Sequence, residues 1–197
     1  MIIYFRTMRT RDEFKQDALY KATVKLVNEI GFASSSVSKI AKEAGVSPAT
    51  VYIYHKNKED LLVSTYLNIK KEFVAAMVKD IDKSKPLRDI LKKVWFNLFE
   101  FISKHHAEFT FTEQFANSPY TDLVDTAEID KLLMPLIELI EYGKAQKILK
   151  DVSLDLITAF GFYPMYTLAN PKLCTQFSRS EADIETAFTL AWDAIKL

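Results

Sequence analysis

Residues 35–56 read Ser-Ser-Val-Ser-Lys-Ile-Ala-Lys-Glu-Ala-Gly-Val-Ser-Pro-Ala-Thr-Val-Tyr-Ile-Tyr-His-Lys, and their chemistry suits a polyanionic duplex. Ala49, Thr50, Tyr52 and Ile53 fall on the outward side of the second of two short helices. They offer methyls, a hydroxyl and an aromatic edge in place of the Glu/Lys mixture of a solvated face. Lys39, Lys56 and Lys58 flank them, where phosphates would lie. The same segment has no Arg, Asn or Gln between Pro48 and Tyr54, so bidentate readout of guanine or adenine is not available from it. Contacts to thymine methyls through Ala49, Thr50 or Ile53, together with shape readout and the arm residues Arg9 and Arg11, are expected instead.

These side chains need a scaffold, and the spacing around them supplies one. Ser35 or Ser36 can cap a first helix whose inner face is Val37, Ile40, Ala41 and Ala44. Gly45 supplies the positive φ of a tight turn, and Val46 plugs the angle between the helices. Ser47 caps the second helix and Pro48 takes its first position, where a missing N–H costs nothing. Val51 and Tyr54 face inward, and Ala41 is small where the axes approach. The whole set describes a helix-turn-helix.

The flanking chain is helical as well. Phe14, Ala18, Leu19, Ala22, Leu26, Val27 and Ile30 form one stripe that stops at Gly31. A second stripe runs through Leu62, Tyr66, Ile69, Phe73, Ala76, Met77 and Ile81, with Asn57 as N-cap and Asp60 as its capping-box partner. Further helices are predicted at about 86–105, 107–117, 128–142, 153–169 and 180–196. With four glycines, six prolines and no alternating runs, the fold class is all-α: an N-terminal three-helix helix-turn-helix domain followed by a C-terminal helical domain. The expected domains are 1–57, with 1–8 as a disordered arm and Met1 to Thr7 as a flexible or cloning-dependent extension, and 58–197.

Composition agrees with this reading. The 26 basic and 26 acidic residues cancel overall, yet residues 1–58 hold ten basic against five acidic. The single cysteine, Cys174, fits a reducing cytosol, and no apolar stretch reaches bilayer length, so a cytoplasmic protein is expected. An enzyme is disfavoured by the lack of a Gly-rich phosphate loop, G-x-S-x-G or H-E-x-x-H, and His105 and His106 point about 100° apart on a helix. No cofactor or metal is expected.

From about Arg11 to Leu62 the chain resembles the TetR family of transcriptional regulators. The resemblance rests on the Ile-Gly-Phe helix end, on Val-x-x-Ile-Ala, on Ala-Gly-Val-Ser, and on Thr-Val-Tyr-Ile-Tyr-His-Lys-Asn-Lys-Glu-Asp-Leu-Leu. Tyr54 stands where the family usually has histidine, and His55 where it usually has phenylalanine. His55 is therefore expected to pack inside with a ring nitrogen satisfied. The resemblance implies a homodimer on a palindromic double-stranded operator, acting as a repressor that a small effector releases. The alternative is an activator or a nucleoid-type binder without a ligand. The resemblance places Thr50 and Tyr52 near the backbone or base edges, Lys58 with the helix start at Asn57 on a phosphate, and Ser47 on a phosphate as well as at its cap. The full candidate DNA set is Ser36, Lys39, Ser47, Ala49, Thr50, Tyr52, Ile53, Tyr54, Lys56 and Lys58.

For the rest of the chain, Trp95, Phe99, Phe115, Met134, Tyr142, Phe160 and Tyr163 are expected to line a pocket for a largely hydrophobic effector. Phe162, Tyr166, Phe188, Ala191, Trp192 and Ile195 are expected on a dimer seam made by the last two helices.

Overall fold

A computed structural model describes residues 11–197, with the side chains of Arg11 and Thr126 set aside. The arm residue Arg9, the Arg11 side chain and the proposed extension Met1 to Thr7 lie outside the described residues. Among the described residues ten α-helices follow in order: α1 Arg11–Ser34, α2 Val37–Glu43, α3 Pro48–Tyr54, α4 Lys58–Met77, α5 Leu87–Lys104, α6 His106–Ala116, α7 Thr126–Ala145, α8 Leu154–Gly161, α9 Tyr163–Ala169 and α10 Glu181–Ile195. A short 3-10 turn, Pro119–Leu123, precedes α7. Among the described residues there is no strand, only an isolated antiparallel bridge between Leu149 and Lys196.

Helix ends follow local chemistry. In α1 the stripe stops being regular at Gly31, whose φ of 74° breaks the helix before a last turn to Ser34. The expected 62–81 stripe closes at Met77, because Asn97 of α5 donates its side-chain amide to the carbonyls of Met77 and Lys79 at 3.2 and 2.8 Å. The expected helix at 153–169 is two helices, α8 and α9, divided at Phe162, with Pro164 in the first turn of α9.

The residues fall into two compact units that differ from the expected 1–57 and 58–197 division. Unit 1 contains residues up to Asn68 together with Ala107–Val124, and unit 2 contains Ile69–His106 and Asp125–Leu197, so the boundary cuts α4. The downstream piece joins unit 1 because α1 and α4 offer it aromatic faces. Phe32 meets Phe111, Phe115 and Tyr120, and Phe115 stacks on Tyr66 with centroids 4.4 Å apart. Asn28 of α1 donates to the Ala107 carbonyl at 2.8 Å and accepts from the Gln114 amide at 3.0 Å.

Within unit 2, α5 buries Leu91, Val94, Trp95, Leu98 and Ile102, and the Trp95 indole N–H donates to the Gly161 carbonyl at 3.1 Å. Phe188, Ala191, Trp192 and Ile195 form the buried side of α10.

Candidate nucleic-acid interface

The helix-turn-helix core consists of Leu19, Ala22, Ile40, Ala41, Val51 and Leu61, with Tyr20, Leu26, Val37, Ala44, Val46 and Tyr54 packed around it. Ile40, Ala41 and Val51 are fully buried, as the spacing requires. Gly45 has a φ of 69°, and a Cβ there would meet nothing within 4 Å. Backbone conformation alone therefore calls for glycine. Ser36 caps α2 by accepting from the Lys39 N–H, and Ser47 caps α3 by accepting from the Thr50 N–H at 3.2 Å. Pro48 opens α3, and the His55 N–H closes it on the Val51 carbonyl.

With Val51 inward, the opposite side of α3 is solvent-facing: Ala49 is exposed, Tyr52 is 57% exposed and Ile53 is 74% exposed. Two large apolar side chains so placed on a seven-residue helix are costly in water and suit insertion into a groove lined by base edges and methyls. Thr50 is half-buried and its hydroxyl shares a 2.9 Å hydrogen bond with Ser47. Ser36, Lys39, Ser47 and Lys56 are exposed around this helix. The Lys39 ammonium rests on the Ser34 carbonyl at 3.0 Å.

Two residues of the expected DNA set are engaged inside the protein. Lys58, expected on a phosphate, donates to the Phe32 carbonyl beyond the Gly31 break, because that helix end has carbonyls without intrahelical partners. Tyr54 is half-buried and its hydroxyl donates to Asp12 at 2.8 Å, tying α3 to α1. That bond, then burial, raises the Tyr54 hydroxyl above its ordinary value of 10.

At the start of α4 Asn57 is the N-cap as expected, but Asp60 closes on the residue before Asn57 instead of on the Asn57 N–H. The Asp60 N–H donates to the Asn57 side chain at 2.8 Å, and the Asp60 carboxylate accepts from the Lys56 N–H at 3.0 Å. His55 is buried, as expected, but neither ring nitrogen has a hydrogen-bond partner, contrary to expectation. Its Nδ1 stands 3.6 Å from Asp60, too far for a hydrogen bond.

The two residue sets proposed for the rest of the chain are rearranged. Trp95 and Phe99 are buried and stack on each other within the core of unit 2. Phe115 lies in unit 1, whereas Met134, Tyr142, Phe160 and Tyr163 belong to unit 2 and are exposed. Of the expected seam, Phe162, Phe188, Ala191, Trp192 and Ile195 are buried within the protomer, and Tyr166 is half-buried against Phe73. The physical reason is that α8 and α10 each carry two apolar faces. Ile157 points inward while Leu156 and Phe160 point out, and Leu190 lies off the buried stripe of α10. A groove of about 430 Å³ opens on that outer side, lined by Phe160, Pro164, Leu168, Phe177, Ala187 and Leu190 among others. Leu156 and Leu190 were missed in the sequence; their signal was an apolar side chain one step off a stripe already complete.

The fold and the exposed reader helix define a helix-turn-helix transcriptional regulator. The model of the tetR family of bacterial regulatory proteins matches residues 19–65, and the tetracyclin repressor-like C-terminal domain model matches residues 86–196. The chain belongs to the TetR family. A TetR family transcription regulator from Marinobacter aquaeolei VT8 has a TM-score of 0.88 at 34% identity, over 96% of this chain and 99% of that one. An uncharacterized HTH-type transcriptional regulator of Haemophilus influenzae is 26% identical over 182 residues, 91% of this chain and 95% of that protein. The transcriptional regulator FadR from Bacillus subtilis, in complex with stearoyl-CoA, shares the fold with a TM-score of 0.67 at 22% identity, over 91% of this chain and 97% of that one. The chain is thus a regulator and not an enzyme. Among the described residues, no helix is long and apolar enough to cross a membrane, and no group of three or more His, Cys, Asp or Glu could hold a metal ion.

Proposed function

We propose that this protein represses transcription by binding a palindromic operator as a homodimer, and that a small, largely hydrophobic effector releases it. The observation that carries the DNA contact is the outward face of α3, with Ala49, Tyr52 and Ile53 exposed beside Ser47, Lys39 and Lys56. The surplus of five positive charges over residues 1–58 supports it. Ser36, Lys39, Ser47 and Lys56 set orientation on phosphates, while Ala49, Thr50, Tyr52 and Ile53 read base edges. Tyr54 positions α3 from behind. One short reader helix makes few base contacts, and a two-fold pair doubles them on an inverted repeat.

The dimer surface of this proposal is the outer face of α8, α9 and α10, where Leu156, Phe160, Tyr163 and Leu190 are exposed beside the groove. A second copy is the occupant we assign, because an apolar patch of this kind on a protomer is costly in water and a two-fold seam covers it with itself. Effector coupling runs along α4, which contributes residues to both units. A differential of about 1–3 kcal/mol suffices to change occupancy about 5- to 150-fold. The stearoyl-CoA bound by the Bacillus subtilis protein makes long-chain acyl-CoA the first effector to try.

The test is selection of bound sequences from a random duplex pool, with and without long-chain acyl-CoA. Enrichment of an inverted repeat is expected. Failure to enrich any sequence over bulk DNA overturns the operator reading, and an enriched site whose occupancy no acyl-CoA changes overturns this choice of effector.

A further inference from the structure

His55 sits at the end of the reader helix, and its surroundings do not suit a group that can take up a proton. Only 5% of it is exposed, and both ring nitrogens lack a hydrogen-bond partner. Its backbone N–H is the last bond of α3, accepted by Val51 at 2.9 Å, so the ring is attached directly to the C-terminal end of the reader. From α1 the ring meets Tyr20, with centroids 6.1 Å apart. From α4 it meets Asp60, whose Oδ2 is 3.6 Å from Nδ1 and already accepts the Lys56 N–H. Its chain neighbours are Tyr54, held by Asp12, and Lys56, which is exposed.

We propose that His55 is a proton-sensitive latch that positions the reader helix: the neutral ring fills the space between α1 and α4, and the protonated ring leaves it and releases the end of α3. This rests on the DNA-binding reading of α3. An imidazolium has two N–H donors, whereas neither ring nitrogen has a hydrogen-bond partner here and the Asp60 oxygen nearest Nδ1 already accepts the Lys56 N–H. To bond that oxygen, Nδ1 must close from 3.6 Å, pulling on the carboxylate that holds the Lys56 N–H, while Nε2 still has no acceptor and would bury an unpaired N–H of a charged ring. The turn joining α3 to α4 therefore changes.

The electrostatics agree with the geometry. Burial pushes the imidazole below its ordinary value of 6.5, and the opposing pull of Asp60 is the smaller effect. A base depressed in the folded state gives stability that is complete above 6.5 and is lost as pH falls below 6.5 towards the folded value. The Tyr20 hydroxyl, raised above its ordinary 10 by burial and then by Asp60, stays neutral through this window.

The experiment follows the imidazole resonances of the full chain by NMR from pH 8 to pH 5, together with affinity for a duplex selected at pH 8, at constant ionic strength. The His55 midpoint is expected below 6.5, with the Tyr52 and Ile53 amide signals moving at the same midpoint. Affinity should fall by up to about tenfold per pH unit below it. In His55→Phe, which keeps an aromatic ring and removes the titrating nitrogens, the affinity should stay flat over the same range. A His55 midpoint at or above 6.5 overturns the latch. So do reader amides that follow His105 or His106 instead, or an unchanged acid loss in His55→Phe. Should that variant not fold, the wild-type resonances alone decide. If no duplex is bound at pH 8, the regulator reading fails while the joint movement of His55 and the reader amides still decides the latch.

Discussion

Replacing Asn97 by leucine keeps the number and branching of side-chain heavy atoms and removes both hydrogen bonds that end α4. In the native chain one buried amide serves two carbonyls, Met77 at 3.2 Å and Lys79 at 2.8 Å. Losing two neutral hydrogen bonds forfeits about 0.5–1.5 kcal/mol each, and a carbonyl left dry costs about 1–3 kcal/mol, although water reaches the exposed Lys79 end. The buried leucine returns about 1 kcal/mol. The net loss is about 2 kcal/mol, which for a chain of this length lowers the melting temperature by about 4–8 °C. Circular dichroism melts give the total, and amide hydrogen exchange locates it. The Val78 and Lys79 amides, bonded to Val74 and Ala76, should exchange faster while the amides of α2 and α3 keep their rates. A variant as stable as the wild type, or one whose exchange changes only in α2 and α3, would refute the assignment of Asn97 as the stop of α4.

Gly45→Ala should cost about 1–2 kcal/mol in melts, since φ is 69° and an added methyl meets no neighbour; a neutral outcome would mean the turn relaxes freely. Lys39→Ala and Lys56→Ala should each weaken DNA binding and reduce the slope of log affinity against log salt by about 0.9 for each phosphate no longer neutralised. An unchanged slope would remove that lysine from the interface. Leu190→Glu should abolish the proposed dimer in analytical ultracentrifugation with little change in protomer melting, because this residue is 68% exposed. A dimer that survives places the seam elsewhere.

The helix-turn-helix was legible because each of its requirements is local. Gly45 answers a dihedral angle, Ser36 and Ser47 answer helix starts, and Ile40, Ala41 and Val51 answer a single shared core. The family followed from the same residues. Unit 2 was legible only as a set of helices. An apolar stripe reports that a face is dry but not what dries it, so Phe188 and Trp192 read like a seam though they are core, and Phe160 read like the wall of an interior cavity though it lines an open groove. Lys58 misled for a related reason. A lysine near a phosphate site and one closing the frayed carbonyls after Gly31 look alike until the Phe32 carbonyl is in place. Asn97 could have been found, since a polar residue set among Val94, Leu98 and Ile102 on a buried face must have a partner.

The aromatic faces of Phe32 and Tyr66 are dressed by a stretch of chain that arrives about fifty residues after α4 has begun. The reader head is therefore not a cassette that can be cut out at the end of its third helix. A fragment stopping at Asn68 bares both rings and strands Asn28 without Gln114, so it should clump or melt. Anyone exchanging heads between members of this family must carry Ala107–Val124 along with the front of the chain, or redesign α1 to do without it.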